Sequence, residues 1–146
     1  MKMKYRSLKK EDIKKIYLMG KKDFGSSSQY SWDWSIKELK KYLNKHFGFG
    51  IVCLGKNKII GFILVQKNYS SQKPKVSWLT YIFVKKEFRR NKIGSYLIRL
   101  SSFKLRKMGK RNFITDIYLK NKSSLSFFKS ECFKKKEYWV IGDKKL

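Results

Sequence analysis

Residues 49–54 (FGIVCL) and 59–66 (IIGFILVQ) are two apolar runs separated only by GKNK, and a third, VSWLTYIFV, follows a short SSQKP loop. Runs of this length, rich in β-branched and aromatic residues and bounded by turn formers, read as strands. The first two read as a hairpin, with its turn chemistry expected from Gly55 and Asn57.

Helical spacing surrounds these strands. After a short strand at Lys4 to Arg6, Ile13, Ile16, Tyr17 and Met19 recur with helical spacing in KKEDIKKIYLMGKK, and Gly20 is expected to weaken or bend the end of that helix. The polar and aromatic GSSSQYSWDW reads as a loop, with Asp33 or Ser35 capping a second helix through Ile36, Leu39, Tyr42 and Leu43. From Ile93, the positions Tyr96, Leu97, Leu100, Phe103 and Met108 form a stripe, with Arg99, Lys104, Arg106 and Lys107 on other faces, which predicts a central helix. NFITDIYL reads as a strand, SSLSFFKSE as a short helix and FKKKEYWVIG as a closing strand. This order of strands and helices puts both in one mixed sheet, an α/β (α+β) pattern. At 146 residues with no linker-like stretch, one domain over 1–146 is expected.

The chain carries 37 Lys and Arg against 10 Asp and Glu, a formal net charge of +27 that favours polyanionic partners such as a ribosome or RNA. A lysine-rich composition is the bland alternative, but acidic residues are scarce rather than raised with it. With no long apolar span and no signal-like N-terminus, a cytoplasmic protein without membrane contact is expected. Cys53 and Cys132 read as core thiols and His46 has no spaced partner, so no metal is expected.

The chemistry is concentrated in FVKKEFRRNKIGSYLI, where an apolar strand meets the amphipathic helix through a basic turn containing Asn91 and Gly94. Backbone N–H groups at a helix start attract anions, and Arg89, Arg90 and Lys92 add full charge, a combination suited to a pyrophosphate. Neither G-x-x-x-x-G-K-[ST] nor G-x-G-x-x-G is present, which excludes the nucleotide P-loop and the dinucleotide fingerprint. On this segment alone, a solvated basic turn explains the residues equally well.

The segment resembles the coenzyme motif [QR]-x-x-G-x-[GA] of the GNAT superfamily of acetyl-CoA-dependent N-acetyltransferases. Here it reads Arg89, Arg90, Asn91, Lys92, Ile93, Gly94, so Lys92 replaces the first motif glycine. The opening YRSLKKEDIKKI and the run KNKIIGFILVQ are similar to the family's first elements. LKNKSSLSFFKSECF is similar to its N-x-x-[AS]-x-x-[FLI]-[YF]-x-x-x-[GC]-F pattern. The resemblance implies a mostly antiparallel central sheet flanked by helices, with acetyl-CoA as cofactor. It further implies that the backbone of Ile82, Phe83 and Val84 lines the acetyl and pantetheine arm, that the turn from Arg89 to Ser95 holds the pyrophosphate, and that Asn121 and Phe128 lie near the coenzyme and its thiol.

An amine must lose its proton before attacking a thioester, so a base or a water chain ending in one is needed. Asp116, within the apolar strand, is the candidate if burial raises its pKa; an outward carboxylate paired with a lysine is the alternative. The chain resembles the ribosomal-protein N-terminal alanine acetyltransferases in YSWDWS, and their Glu five residues before the motif Asn matches Asp116. Many relatives carry a Tyr acid where this chain has Phe128; either the departing thiolate takes its proton from water or another tyrosine reaches it, with Tyr118, Tyr81 and Tyr138 as candidates. The same resemblance implies a peptide N-terminus or lysine amine as acceptor, with Tyr30, Trp32 and Trp34 at the entrance, although such aromatics are also ordinary core. The alternatives are acetylation of an RNA-linked amine such as aminoacyl-tRNA, and a basic nucleic-acid-binding module without catalysis.

Overall fold

The computed structural model describes residues 1–25, 34–117 and 120–134. The chain divides into two units, Met1–Asp116 and Ile117–Leu146.

The first unit is built on a five-stranded sheet in the order β1 (Met3–Ser7), β2 (Gly48–Gly55), β3 (Lys58–Gln66), β4 (Val76–Val84) and β5 (Asn112–Ile114). The first four strands pair antiparallel with their neighbours, and β4 pairs β5 in parallel. The β2–β3 hairpin turns on Lys56 (φ 49°) and Asn57 (φ 61°), while Gly55 sits inside β2 opposite Lys58. The turn therefore relies on a left-handed lysine rather than on Gly55, because a two-residue turn matching the sheet twist needs positive φ at both central positions.

Helix α1 (Ile13–Phe24) follows a 3-10 turn at Lys10–Asp12 and packs on one sheet face with α2 (Ile36–Lys40). Ser35 caps α2, its hydroxyl accepting from the Glu38 N–H at 3.1 Å. Helix α1 runs on through Gly20, where a weakened or bent end is expected, to Phe24. Gly20 is there for space: a Cβ at that position would lie 2.4 Å from Cζ2 of Trp34. Leu8, Ile13, Ile16, Trp34, Leu39, Tyr42, Val52, Phe62 and Leu64 form this core.

Helix α3 (Ile93–Lys107) packs against β2, β3 and β4. Its buried stripe is Ile93, Leu97, Ile98, Ser101 and Leu105, whereas Tyr96, Phe103 and Met108 are exposed. Ile93 and Leu97 are buried as expected, but the rest of the buried stripe is Ile98, Ser101 and Leu105 instead of the expected aromatic positions, and the exposed Phe103 serves a cation, with Lys107 Nζ 4.7 Å from its ring centre. Of the strand expected over NFITDIYL, Asn112–Ile114 pairs regularly among the described residues, and Tyr118 and Leu119 lie outside them. The expected closing strand lies outside the described residues from residue 135 onward.

The second unit contains α4 (Lys122–Ser130). Asn121 caps it, Oδ1 accepting from the Ser124 N–H at 3.1 Å, and the Phe128 ring packs 5.2 Å from both Phe127 and Phe133. No helix among the described residues is long and apolar enough to cross a membrane.

Candidate functional site

Strand β4 outruns its parallel neighbour. Its register with β5 ends at Trp78↔Ile114, extended by the Thr115 hydroxyl, which donates to the Leu79 carbonyl at 3.1 Å, yet β4 continues to Val84. Among the described residues the β5 side of β4 from Thr80 onward is thus not covered by a regular strand, and its amides can take up an extended, amide-bearing ligand as an added strand.

The pairing of β4 with β3 is irregular at the same point: Leu64↔Tyr81 is followed by Val65↔Leu79, which leaves Thr80 as an extra residue in a β-bulge. The Thr80 hydroxyl donates to the Leu64 carbonyl at 2.9 Å and accepts from the Tyr42 hydroxyl at 2.7 Å. Burial pushes the Tyr42 pKa up, which keeps its proton in place as the donor. Sequence reasoning missed both residues, since a bulge leaves no mark on the apolar pattern of VSWLTYIFV.

Past Val84 the chain makes a 3-10 turn at Lys86–Phe88 and enters α3. Arg89 folds back, Nε donating to the Val84 carbonyl at 3.0 Å, and the Asn91 amide donates to the Phe88 carbonyl at 3.0 Å and the Arg89 carbonyl at 3.2 Å. Arg90 (φ 64°) and Lys92 (φ 60°, ψ 16°) are both left-handed. Left-handed non-glycine residues are uncommon and store strain, and they recur where a backbone turn aims its N–H groups at a ligand. Lys92 adopts the conformation for which the family motif carries glycine. The first bond inside α3 runs from the Tyr96 N–H to the Lys92 carbonyl, so the N–H groups of Ile93 and Gly94 have no partner within the helix. Ile93 itself is buried over Gly61, whose missing Cβ would lie 3.3 Å from it, so this residue offers an anion its backbone and not its side chain.

The structure thus brings Ile82, Phe83 and Val84 at the end of β4 together with the turn Arg89, Arg90, Asn91 and Lys92 and the helix start Ile93, Gly94 and Ser95. A diphosphate seated on the turn, with an amide-bearing arm along β4, fits these residues.

Asp116 follows β5 by two residues. Its side chain is largely open to solvent by area, yet the atoms crowding the carboxyl desolvate it enough to push its pKa up, and among the described residues no lysine pairs with it. Trp34 is a core residue, 8% exposed, with Nε1 donating to the Tyr17 carbonyl at 3.0 Å and its ring among Phe24, Tyr81 and Phe62. Its place in the core leaves little of the side chain for an incoming acceptor, and Tyr81 stands in the same cluster. Tyr30, Trp32, Tyr118 and Tyr138 lie outside the described residues. Asn121 and Phe128 belong to the second unit, where each has a structural task of its own, capping α4 and packing between aromatic rings.

No curated protein sequence matches the chain with significance. Solved structures do. An aminoglycoside N-acetyltransferase, AAC(6')-Iy in complex with CoA, superposes with a TM-score of 0.82 at 19% identity, over 99% of this chain and 96% of that one. The aminoglycoside 6'-N-acetyltransferase AAC(6')-Ih from Acinetobacter baumannii gives 0.79 at 15% identity over 99% of both chains. A possible acetyltransferase from Clostridium difficile 630 gives 0.75 at 18% identity, over 99% of this chain and 98% of that one. These similarities establish the fold. The model of the acetyltransferase (GNAT) family matches residues 13–132. The chain therefore belongs to the acetyltransferase (GNAT) family, whose members are N-acetyltransferases that take the acetyl group from acetyl-CoA.

Proposed function

We propose that the enzyme acetylates a primary amine carried by a protein, an N-terminus or a lysine, by direct attack of the amine on the thioester within a ternary complex, the C–S bond breaking so that CoA leaves as its thiolate and takes a proton from water. The observation that carries the donor half of this reading is the turn before α3, where Arg90 and Lys92 hold left-handed geometry and the N–H groups of Ile93 and Gly94 have no helical partner. The coenzyme supplies an activated acetyl thioester. The chain supplies the strand edge of Ile82–Val84 to align the arm and the turn to hold the diphosphate. Asp116, with its raised pKa, takes the ammonium proton directly or through water. Direct transfer is supported by Cys53, which is fully buried, with burial pushing its thiol pKa up, and is therefore poorly suited to carry an acetyl group; Cys132, contrary to the core position expected for it, is exposed in the second unit.

Titration calorimetry with acetyl-CoA tests the donor half. Saturable binding by the wild type, weakened at least about tenfold in Arg89→Ala/Arg90→Ala with its circular dichroism intact, is expected from the loss of two charge-assisted contacts. Absence of binding by the wild type would sink the reading. For the acceptor, peptide N-termini and lysine peptides are to be compared with an aminoglycoside, because the neighbours AAC(6')-Iy and AAC(6')-Ih favour that second reading. Against it stands the charge of +27, which repels a polycationic acceptor at long range.

A further inference from the structure

A second basic surface lies at the opposite end of β4. The loop entering the strand closes on itself, with the Tyr69 N–H donating to the Val76 carbonyl at 2.8 Å, and it meets the end of α3 where the Arg111 N–H donates to the Lys75 carbonyl at 2.8 Å. Lys110 Nζ donates to the Pro74 carbonyl at 2.7 Å and to Asn68 Oδ1, and Lys67 Nζ donates to the Lys45 carbonyl at 3.1 Å. Backbone carbonyls thus hold two ammonium groups in place. With Lys73, Lys75 and Arg111, both lysines form a cluster that has no carboxylate paired to any member among the described residues. Crowding is real there: partial burial and then the charges of Lys67 and Lys75 push the Lys110 pKa down. Like charges gathered without a counterion cost free energy unless an anion arrives to offset it. On the same loop Tyr69 is 43% exposed, its ring backed edge-on by Trp78 with 6.1 Å between ring centres.

We propose that this patch, Tyr69 together with Lys67, Lys73, Lys75, Lys110 and Arg111, docks single-stranded RNA. The cations meet successive phosphates, and Tyr69 gives an unpaired base a ring to stack on, the combination by which single strands are held. An acidic protein would satisfy the charges but make no use of the ring. The loop between them, Asn68 and Ser70 to Gln72, offers hydroxyls and carboxamides to a ribose 2′-hydroxyl. Nine residues of strand put the patch about 27 Å from the turn before α3, so RNA and coenzyme occupy opposite ends of β4.

Fluorescence anisotropy with a labelled 12-nucleotide mixed-sequence RNA, titrated at several KCl concentrations, tests this. Tyr69→Ala is expected to weaken binding at least about fivefold. Lys73→Gln/Lys75→Gln/Arg111→Gln is expected to weaken it more than tenfold and to flatten the logarithmic salt dependence by about 2. Acetyl-CoA binding, measured by calorimetry on the same variants, is expected to be unchanged, so failure here is separable from failure of the donor site. The control Lys10→Gln/Lys14→Gln/Lys21→Gln removes the same charge from α1 and its entry turn. An equal loss in that control would overturn the proposal, as would no binding by the wild type, equal affinity for DNA of the same sequence, or no effect of Tyr69→Ala.

Discussion

Asp12 is 2% exposed and accepts from both Arg6 guanidinium nitrogens, at 2.6 and 3.0 Å, and from the Lys9 N–H at 2.8 Å. Burial alone would raise its pKa, but Arg6 and the Lys9 N–H outweigh burial and hold the carboxyl below its ordinary value. The stabilisation is therefore complete above the ordinary carboxylate range and fades as pH falls through the lowered pKa. Asp12→Asn, which leaves Arg6 without its partner, is expected to cost about 2–3 kcal/mol in urea unfolding at pH 7, and that difference should shrink towards pH 2. The sign reverses at Asp116, where the pKa is raised and the neutral acid is the form the fold favours. That contribution is present at low pH and is lost as pH rises, so Asp116→Asn should be no less stable than the wild type at pH 7. If Asp116 is the base, the wild-type kcat/KM rises with pH as it ionises, above the ordinary aspartate range, and the Asn variant should lack this limb; an unchanged pH profile would remove Asp116 from the mechanism. Lys92 tests the turn. Lys92→Gly relieves the left-handed strain and is expected to gain up to about 1 kcal/mol, read as a higher urea midpoint at unchanged slope.

Among elements, α1 shows why some of the fold was legible in the sequence and some was not. The periodicity of Ile13 and Ile16 announces the helix, and the runs FGIVCL, IIGFILVQ and VSWLTYIFV announce β2, β3 and β4, because burial of one face or both writes itself into residue type. Gly20 reads locally as a weak point, yet it is a notch that admits Trp34. That partner is 14 residues away, beyond the reach of helical spacing. Gly20→Ala pits a helix-propensity gain of about 1 kcal/mol against overpacking of a ring pinned by Tyr17 and Phe24, and a net loss of about 1–2 kcal/mol in thermal unfolding is expected. The candidate site divides in the same way. The charge and turn residues of Arg89 to Gly94 are visible as letters, whereas the bulge at Thr80 and its bond from Tyr42 depend on a pairing 38 residues apart. In α3 the exposed Tyr96 and Phe103 misled the choice of stripe, because residue type alone does not separate a core aromatic from one that faces a lysine.

At the scale of the molecule, charge and chain order dominate. From Lys40 to Thr115 nineteen Lys and Arg are opposed by Glu87 alone. Self-repulsion of this kind is screened over about 10 Å at 0.1 M salt, so raising KCl from about 50 to 300 mM should raise the melting temperature by several degrees, measured by calorimetry. Strands β2 to β4 pair across short connections, β2 and β3 through a two-residue turn, whereas β1 joins β2 only after α1 and α2, and β5 joins β4, in parallel, only after the whole of α3. Loop closure makes such a parallel pairing slow to form and early to open. Among the described residues, the side of β4 left without a regular strand from Thr80 onward is bounded by that latecomer. Refolding should therefore restore the packed Phe62–Trp34 core before it restores affinity for coenzyme, and mild denaturation should abolish affinity first. A preparation can then keep a native far-UV spectrum and a buried core while its hold on coenzyme has already gone.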